Sequence, residues 1–363
     1  VRVAFAIVVA TGCGRVGFDV QPDATIVLPL GSPCVADYEC GRCARCESVC
    51  QAEPVGDVAL GHRSLCYLGA NGSRWCSGEN TQGDLGLGDS KAHVLPKRNV
   101  GEDGWTVLSP AYHTALGLRS GDLWSWPDSA SLPTDTGPAT NVVEILGEDA
   151  TTCVHLVGDT YSCDPSMTVW KAFAFGDDHR CGIKADGSLW CAGTDTSGDL
   201  GQGTGVAGMV LPPTQVGVAT DWIAVSAGEP VSCALKMAGT IYCWGEQSLS
   251  GTNGVDPMGM PTQVGTDTDW ASIKGDYHRT CATKLDGSIW CWGSDSNGFI
   301  IPGQFDAPVP MQVPGTFDRF VLGGHHACGH SNGSWQCYGW NAAGQLGIGN
   351  ANPQPGFVAL CPF

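Results

Sequence analysis

The sequence predicts an all-β protein: a β-propeller of seven repeats, preceded by a small cysteine-rich segment. Three observations predict it. Of 363 residues, 52 are Gly, 22 are Pro and only 15% are charged, which suits short strands joined by tight turns. No long stretch places apolar residues at helical spacing. From Gly61 onward one phrase recurs seven times.

The clear copies are "GHRSLCYLGANGSRWCSG" from Gly61, "GDDHRCGIKADGSLWCAG" from Gly176, "GEPVSCALKMAGTIYCWG" from Gly228 and "GDYHRTCATKLDGSIWCWG" from Gly275. Weaker copies begin near Pro110, Gly147 and Gly323. Their first-cysteine positions are 66, 115, 153, 181, 233, 281 and 328, at spacings of 28 to 52 residues. Periods near 50 with short strands indicate propeller blades. The spacing of 28 marks a thin third unit, and a six-bladed ring is the alternative.

Each copy reads as a β-hairpin. Ala185-Asp186-Gly187 stands between Cys181 and Cys191, a three-residue loop whose last residue is left-handed, a conformation that Gly tolerates best. That loop sets the two cysteines opposite each other. Cys66–Cys76, Cys233–Cys243 and Cys281–Cys291 follow the same rule. Cys328 and Cys337 are nine apart across the two-residue turn Asn332-Gly333, which keeps them opposed. Cys153–Cys163 keeps the ten-residue spacing with Gly158 between. In the second copy Ala115 and Ser125 stand at the cysteine positions, so both members are missing together. Opposed cysteines on adjacent strands reach bonding distance, and six hairpin disulfides are expected over six pairs of buried thiols.

Cys13 and these pairs leave Cys34, Cys40, Cys43, Cys46, Cys50 and Cys361 of the 19 cysteines. Cys40 to Cys50 read C-x2-C-x2-C-x3-C, the spacing of an iron–sulfur site. Gln51 follows where such motifs carry Pro. The even count and an exported chain favour disulfides, with zinc or iron–sulfur as alternatives. Two bridges inside the segment and one to Cys361 would close the set.

At the start, Arg2 precedes an apolar run from Val3 to Ala10. That run fits the core of a secretory signal and is too short to span a bilayer. Ala10-Thr11-Gly12-Cys13 resembles a bacterial lipobox, whose cysteine becomes the lipidated first residue. The expected organisation is a signal over 1–13, a cysteine-rich stalk over 14–54 and a propeller over 55–363. Gly14 after the cysteine favours the outer membrane by the sorting rules of that resemblance.

The repeats resemble those of the regulator-of-chromosome-condensation family. The resemblance rests on the hairpin phrase and on its tail, seen as "GENTQGDLGLG", "GTDTSGDLGQG" and "GWNAAGQLGIG". It covers about residues 55–363 and is nearest to a cysteine-bearing bacterial version. It implies a seven-bladed propeller. Nuclear members act as exchange factors for a small GTPase on chromatin. Other relatives cap secreted β-lactamases with one propeller face, and another is a tryptophan-based ultraviolet-B receptor. A net charge of −18 disfavours nucleic acid, and an exported, disulfide-bonded chain is not expected to meet a cytosolic GTPase. Eleven of the 13 Trp sit at recurring repeat positions, which reads first as packing.

No nucleophile elbow, zincin motif or phosphate loop occurs. His113, His179, His278 and His326 precede the first-cysteine positions and read as structural hydrogen-bonders. Asp295-Ser296-Asn297-Gly298 faintly resembles a calcium loop but lacks its final Glu. The expectation is therefore a non-catalytic scaffold with no metal or cofactor. It would be lipid-anchored through Cys13 and would bind an unidentified protein or glycan through one face. An exported hydrolase or lyase using the central channel, or a metal or redox protein built on Cys40–Cys50, is the alternative.

Overall fold

The computed structural model describes residues 45–46, 50–51 and 55–360, apart from short segments at 70, 84, 99–102, 110–113, 128–131, 139–141, 149–150, 157–159, 164–168, 177, 204–208, 255–258 and 296–298. Cys13, Cys34, Cys40, Cys43 and Cys361 lie outside the described residues. Cys46 and Cys50 are directly opposed in a two-stranded pair, Arg45–Cys46 with Cys50–Gln51, and only their backbone is described. The chain divides into two units, and the larger, Pro54–Leu360, holds the repeats.

Seven four-stranded antiparallel sheets follow one another along that unit, at 58–98, 105–138, 142–170, 172–215, 222–263, 270–312 and 319–359. In each sheet the strands lie side by side in chain order. The first strand of each sheet touches the first strand of the next, and that of the seventh touches that of the first. The ring therefore closes as a seven-bladed propeller with the first strands innermost. The third unit is a complete four-stranded blade, though its outermost strand is only Val169–Trp170.

Up-and-down blades give the ring two faces. Turns between first and second strands, and loops between third and fourth, share one face, here termed the loop face. The tight turns between second and third strands share the other, the hairpin face, with the connections between blades.

The hairpin turns form as their glycines dictate. Gly187 (φ 81°) and Gly287 (φ 82°) close three-residue loops in the left-handed region. Asp186 and Asp286 accept from the hydroxyl-bearing residue two positions on, and those bonds from Ser188 and Ser288 hold both carboxyls below the usual carboxylate range. The registers that result set Cys66 opposite Cys76, Cys181 opposite Cys191, Cys233 opposite Cys243, Cys281 opposite Cys291 and Cys328 opposite Cys337. All five pairs are disulfide-bonded, with Cα–Cα distances of 4.0–4.2 Å. All ten sulfurs belong to buried residues. Cys153 and Cys163 are opposed in register too, and their side chains lie outside the described residues.

The second blade corrects the sequence reading. Its hairpin turns through Ser120-Gly121, with Ser120 at φ 55° and Gly121 at φ 91°, a two-residue loop. Gly117 then faces Trp124, as Gly182 faces Trp190 in the fourth blade. Leu116, not Ala115, is therefore the partner of Ser125 and the equivalent of a first cysteine. The spacing of ten between Ala115 and Ser125 misled because this loop is one residue shorter.

Tryptophan does two packing jobs between these hairpins. Trp105, Trp222 and Trp270 open their blades, and their backbone N–H groups donate to Gly72, Gly187 and Gly239 in the turn of the preceding blade, at 3.0, 3.4 and 3.1 Å. The Trp105 ring lies over Gly117, next to the first cysteine position, where a Cβ would sit 2.7 Å from it. Trp126, Trp244 and Trp292 follow the second cysteine position and are fully buried. They support the loop of the preceding blade, where a Cβ on Gly86, Gly201 or Gly251 would strike them.

The exposed edges of the blades are blunted by proline. Pro96 lies in His93–Arg98, Pro212 and Pro213 in Met209–Gln215, Pro308 and Pro310 in Asp306–Gln312, and Pro355 in Gln354–Ala359. A proline on an outer strand removes an N–H that another sheet could use.

The corrected register makes a prediction. Leu116→Cys with Ser125→Cys should oxidise spontaneously, losing two hydrogens by intact mass and stabilising the domain by up to about 3 kcal/mol on the loop-entropy account. Ala115→Cys with Ser125→Cys should remain reduced. Oxidation of the second pair and not the first would refute the assignment.

Candidate functional site

A repeat protein is most informative where the repeat is broken. The turns between first and second strands are Gly61-His62-Arg63, Gly228-Glu229-Pro230 and Gly323-Gly324-His325 in blades one, five and seven. The residue after each, Ser64, Val231 and His326, pairs with a left-handed glycine, Gly78, Gly245 and Gly339. In the sixth blade Arg279 pairs with Gly293 and Gly275 with Thr280, so the turn is Asp276-Tyr277-His278, of the same length, with Asp276 where the other three carry Gly. Tyr277 occupies the left-handed region at φ 47°. A bulky residue there carries backbone strain, which is concentrated at functional positions.

Tyr277 brings three blades together on the loop face. Tyr277 lies 5.1 Å from the His62 ring and 5.1 Å from the His325 ring, and His62 and His325 are 5.0 Å apart. His278 stands 4.2 Å from Tyr277. Trp340 meets His325 edge-on at 5.6 Å, and the Arg63 guanidinium lies 5.0 Å from the Trp340 ring. Arg63 in turn bridges Glu79 at 3.2 Å. His62, Arg63, Glu79, Tyr277, His278 and Trp340 are all partly exposed. The Glu229 N–H donates to the Tyr277 carbonyl at 2.9 Å, which ties the fifth blade to the cluster.

Beneath the exposed rings lies a buried pair. His325 Nδ1 meets both oxygens of Asp295, at 2.8 and 3.0 Å, and each side chain is 2% exposed. Asp295 belongs to the stretch that resembles a calcium loop; Ser296, Asn297 and Gly298 lie outside the described residues. In blades one and seven the corresponding Asn80 and Asn341 accept the N–H of Leu85 and Leu346 and brace their own loops. Asp295 reaches the next blade.

The repeated histidines divide. His179 reaches across to Ser232 of the fifth blade at 2.7 Å, as a structural hydrogen-bonder should. His326 is buried, and desolvation pushes its pKa down to about 3, so it is neutral. His278 is not at that repeat position; Arg279 is, pairing with Gly293 as His179 pairs with Gly193. Arg279 is buried and donates to the carbonyls of Phe299, Gly323 and His326 at 3.0, 2.6 and 2.7 Å, pinning blade six to blade seven. His113 lies outside the described residues.

The hairpin face has a different chemistry. Lys184, Lys236 and Lys284 each lie between two aromatic rings, with nearest centroid distances of 3.4, 4.7 and 4.9 Å. Arg119 does the same against Trp105 and Trp124, at 5.7 and 5.3 Å. Lys236 also bridges Asp221, and Lys284 bridges Asp267 and Asp269. Burial works against the charge of Lys284, but the two carboxylates outweigh it and raise its pKa. These clamps were legible in principle as a cation just before each turn. They are structural: the cation is already satisfied by rings and carboxylates of its own chain.

No family model matches the chain. Among solved structures, the chain is similar to Prp20p from Saccharomyces cerevisiae, named yeast RCC1, at 16% identity over 85% of this chain and 77% of that chain, with a TM-score of 0.50. Human WBSCR16 is similar at 15% identity over 93% of this chain and 92% of that one, with a TM-score of 0.49. The CRINKLY WD40 ectodomain of the Arabidopsis thaliana receptor kinase ACR4 is similar at 16% identity over 84% and 99%, with a TM-score of 0.48. At such identity the likeness to Prp20p shows the fold alone: a propeller of the RCC1 type.

The two faces differ in what their ion pairs are worth. Asp295→Ala should destabilise the domain by about 3 kcal/mol in urea unfolding, because it strands a buried imidazole. Asp267→Ala, at a half-exposed pair, should cost less than about 1 kcal/mol. Equal effects would mean that the Asp295–His325 pair is not the buried brace described.

Proposed function

We propose that this protein is a non-catalytic, exported recognition scaffold that binds a protein or glycan partner through its loop face and is anchored to the cell envelope by lipid on Cys13. The disulfide-bonded hairpins mark a chain that folds in an oxidising compartment. One observation carries the docking reading. The loop face gathers partly exposed aromatic and imidazole rings from blades one, six and seven, a composition that suits the core of an interface. Exposed Leu95, Leu132, Val210, Met260 and Phe305 lie in the long loops of this face or at the adjoining ends of outer strands. On the hairpin face Val218, Met237 and Leu285 are exposed singly among self-paired charges. Scattered single side chains of that kind need no partner.

The buried His325–Asp295 pair favours a second reading, an exported hydrolase in which Asp295 orients His325 as a base. Under that reading His325→Gln would abolish turnover.

A photo-crosslinking residue decides between faces. Placed at Leu132 it should capture a partner on the native host surface, and at Met237 it should capture none. Capture from Met237 alone would overturn the docking face. Intact mass of protein from the membrane fraction tests the anchor: a diacyl or triacyl addition at Cys13 is expected, and its absence would remove the anchor from the proposal.

A further inference from the structure

This inference rests on the loop face being a docking surface and specifies what docks. We infer that the centre of that face, around Tyr277, receives an arginine side chain from a basic protein segment.

The argument starts with Tyr277 itself. The sixth blade carries Asp276 where the turns of blades one, five and seven carry Gly, and the turn holds a tyrosine in a left-handed conformation. The ring stands at the meeting of three blades, with Trp340 and the His62 and His325 rings around it. The electron-rich faces of Tyr and Trp attract cations, and a planar guanidinium stacks on them better than an ammonium does. The chain uses this chemistry on itself: Arg63 lies over Trp340 on the same face, and cations are held between rings in four blades of the other.

Charge supports the same occupant. The turns and loops around the cluster place Glu79, Asp178, Glu229, Glu246 and Asp276 on four blades, and Asp276 directly precedes Tyr277. Against them stand Arg63, which already bridges Glu79, and the exposed Arg180 and Lys274. The whole chain carries −18. An acidic surface accelerates and orients the approach of a basic partner and repels anionic lipid and nucleic acid. A fork of guanidinium N–H groups can bond a carboxylate while its plane rests on a ring, and this face sets carboxylates around Tyr277.

The probe is a hexa-arginine peptide titrated calorimetrically into the full chain, with hexa-lysine and hexa-glutamate alongside. Hexa-arginine should bind more tightly than hexa-lysine, and hexa-glutamate should not bind. Tyr277→Gly removes the ring and relieves the left-handed backbone, so the variant should fold with an unchanged or raised Tm. It should weaken hexa-arginine binding by about tenfold, the range of one cation–ring contact. Asp276→Asn should weaken it in the same direction. Asp286→Asn, at an exposed turn of the hairpin face, should leave it unchanged.

The inference is overturned if hexa-arginine does not bind. It is equally overturned if Tyr277→Gly binds as tightly as the parent, or if Asp286→Asn loses as much as Asp276→Asn; either would reveal diffuse attraction to an acidic protein. Anionic vesicles or a glycan array binding at Tyr277 in place of the peptide would also overturn it. If hexa-arginine fails while crosslinks stay confined to Leu132, the arginine assignment falls and the docking face stands. If both fail, the docking reading falls with it.

Discussion

The rest of the structure depends on the register of one hairpin, repeated around the ring. A left-handed residue closes each described turn, and the loop length decides which side chains stand opposite one another. Because side chains alternate along a strand, a slip of one residue would turn the cysteines, the buried tryptophans and the cations to the wrong face together. The disulfides lock the register where the strands are held closest, and they do so in short segments whose hairpins would be marginal alone.

From that register the blades acquire their joints. The residue after the second cysteine position lies on the side that meets the preceding blade, and it is Trp126, Trp244, Trp292 or Tyr338 in four blades. The Tyr338 hydroxyl bonds the carbonyl of Ile300, and Trp244 Nε1 bonds that of Asp199, so each ring both fills space and ties down a neighbouring loop. Burial pushes the Tyr338 pKa up to about 12, which keeps it a neutral donor. No strand of the described residues passes from the last blade into the first. That seam is closed by Trp335 Nε1 to the Gly56 carbonyl at 2.8 Å, by Gly349 N–H to the Val94 carbonyl at 3.0 Å, and by Arg319 with Asp57. The His62–His325 contact sits on the same seam.

What was legible in the sequence follows from this local rule. The hairpins, their opposed cysteines and the packing role of the tryptophans are set by residues within about ten positions, so turn chemistry and spacing revealed them. The shift from Ala115 to Leu116 was hidden because Ala115 and Ser125 lie ten apart, as the cystines do, and Ser120 in a left-handed conformation does not announce a two-residue turn. That Arg279 and not His278 holds the repeat position was hidden because the two are neighbours, two and three residues before Cys281, and only the strand register tells them apart. The loop-face cluster was not legible at all. His62, Tyr277 and His325 are distant in the chain, and only the closing of the ring brings them to about 5 Å of one another. Its one sequence trace is Asp276, standing where the turns of blades one, five and seven begin with Gly.

That trace matters because of how a repeat protein can diverge. Seven similar blades offer a partner no preferred orientation, since each sector resembles the next. A site must break the symmetry, and the change must avoid the positions that carry the joints. The turns between first and second strands meet this requirement, for they lie beyond the hairpin registers and near the axis, where several blades converge. Here blade six supplies Tyr277, blade seven supplies His325 and Trp340, blade one supplies His62 and Arg63, and Asp295 reaches across from blade six to hold His325. The strained tyrosine therefore stands on a support drawn from three blades, each rigid because its own hairpin is locked. A ring held in that way loses little freedom when something rests on it, which is the condition for an efficient contact.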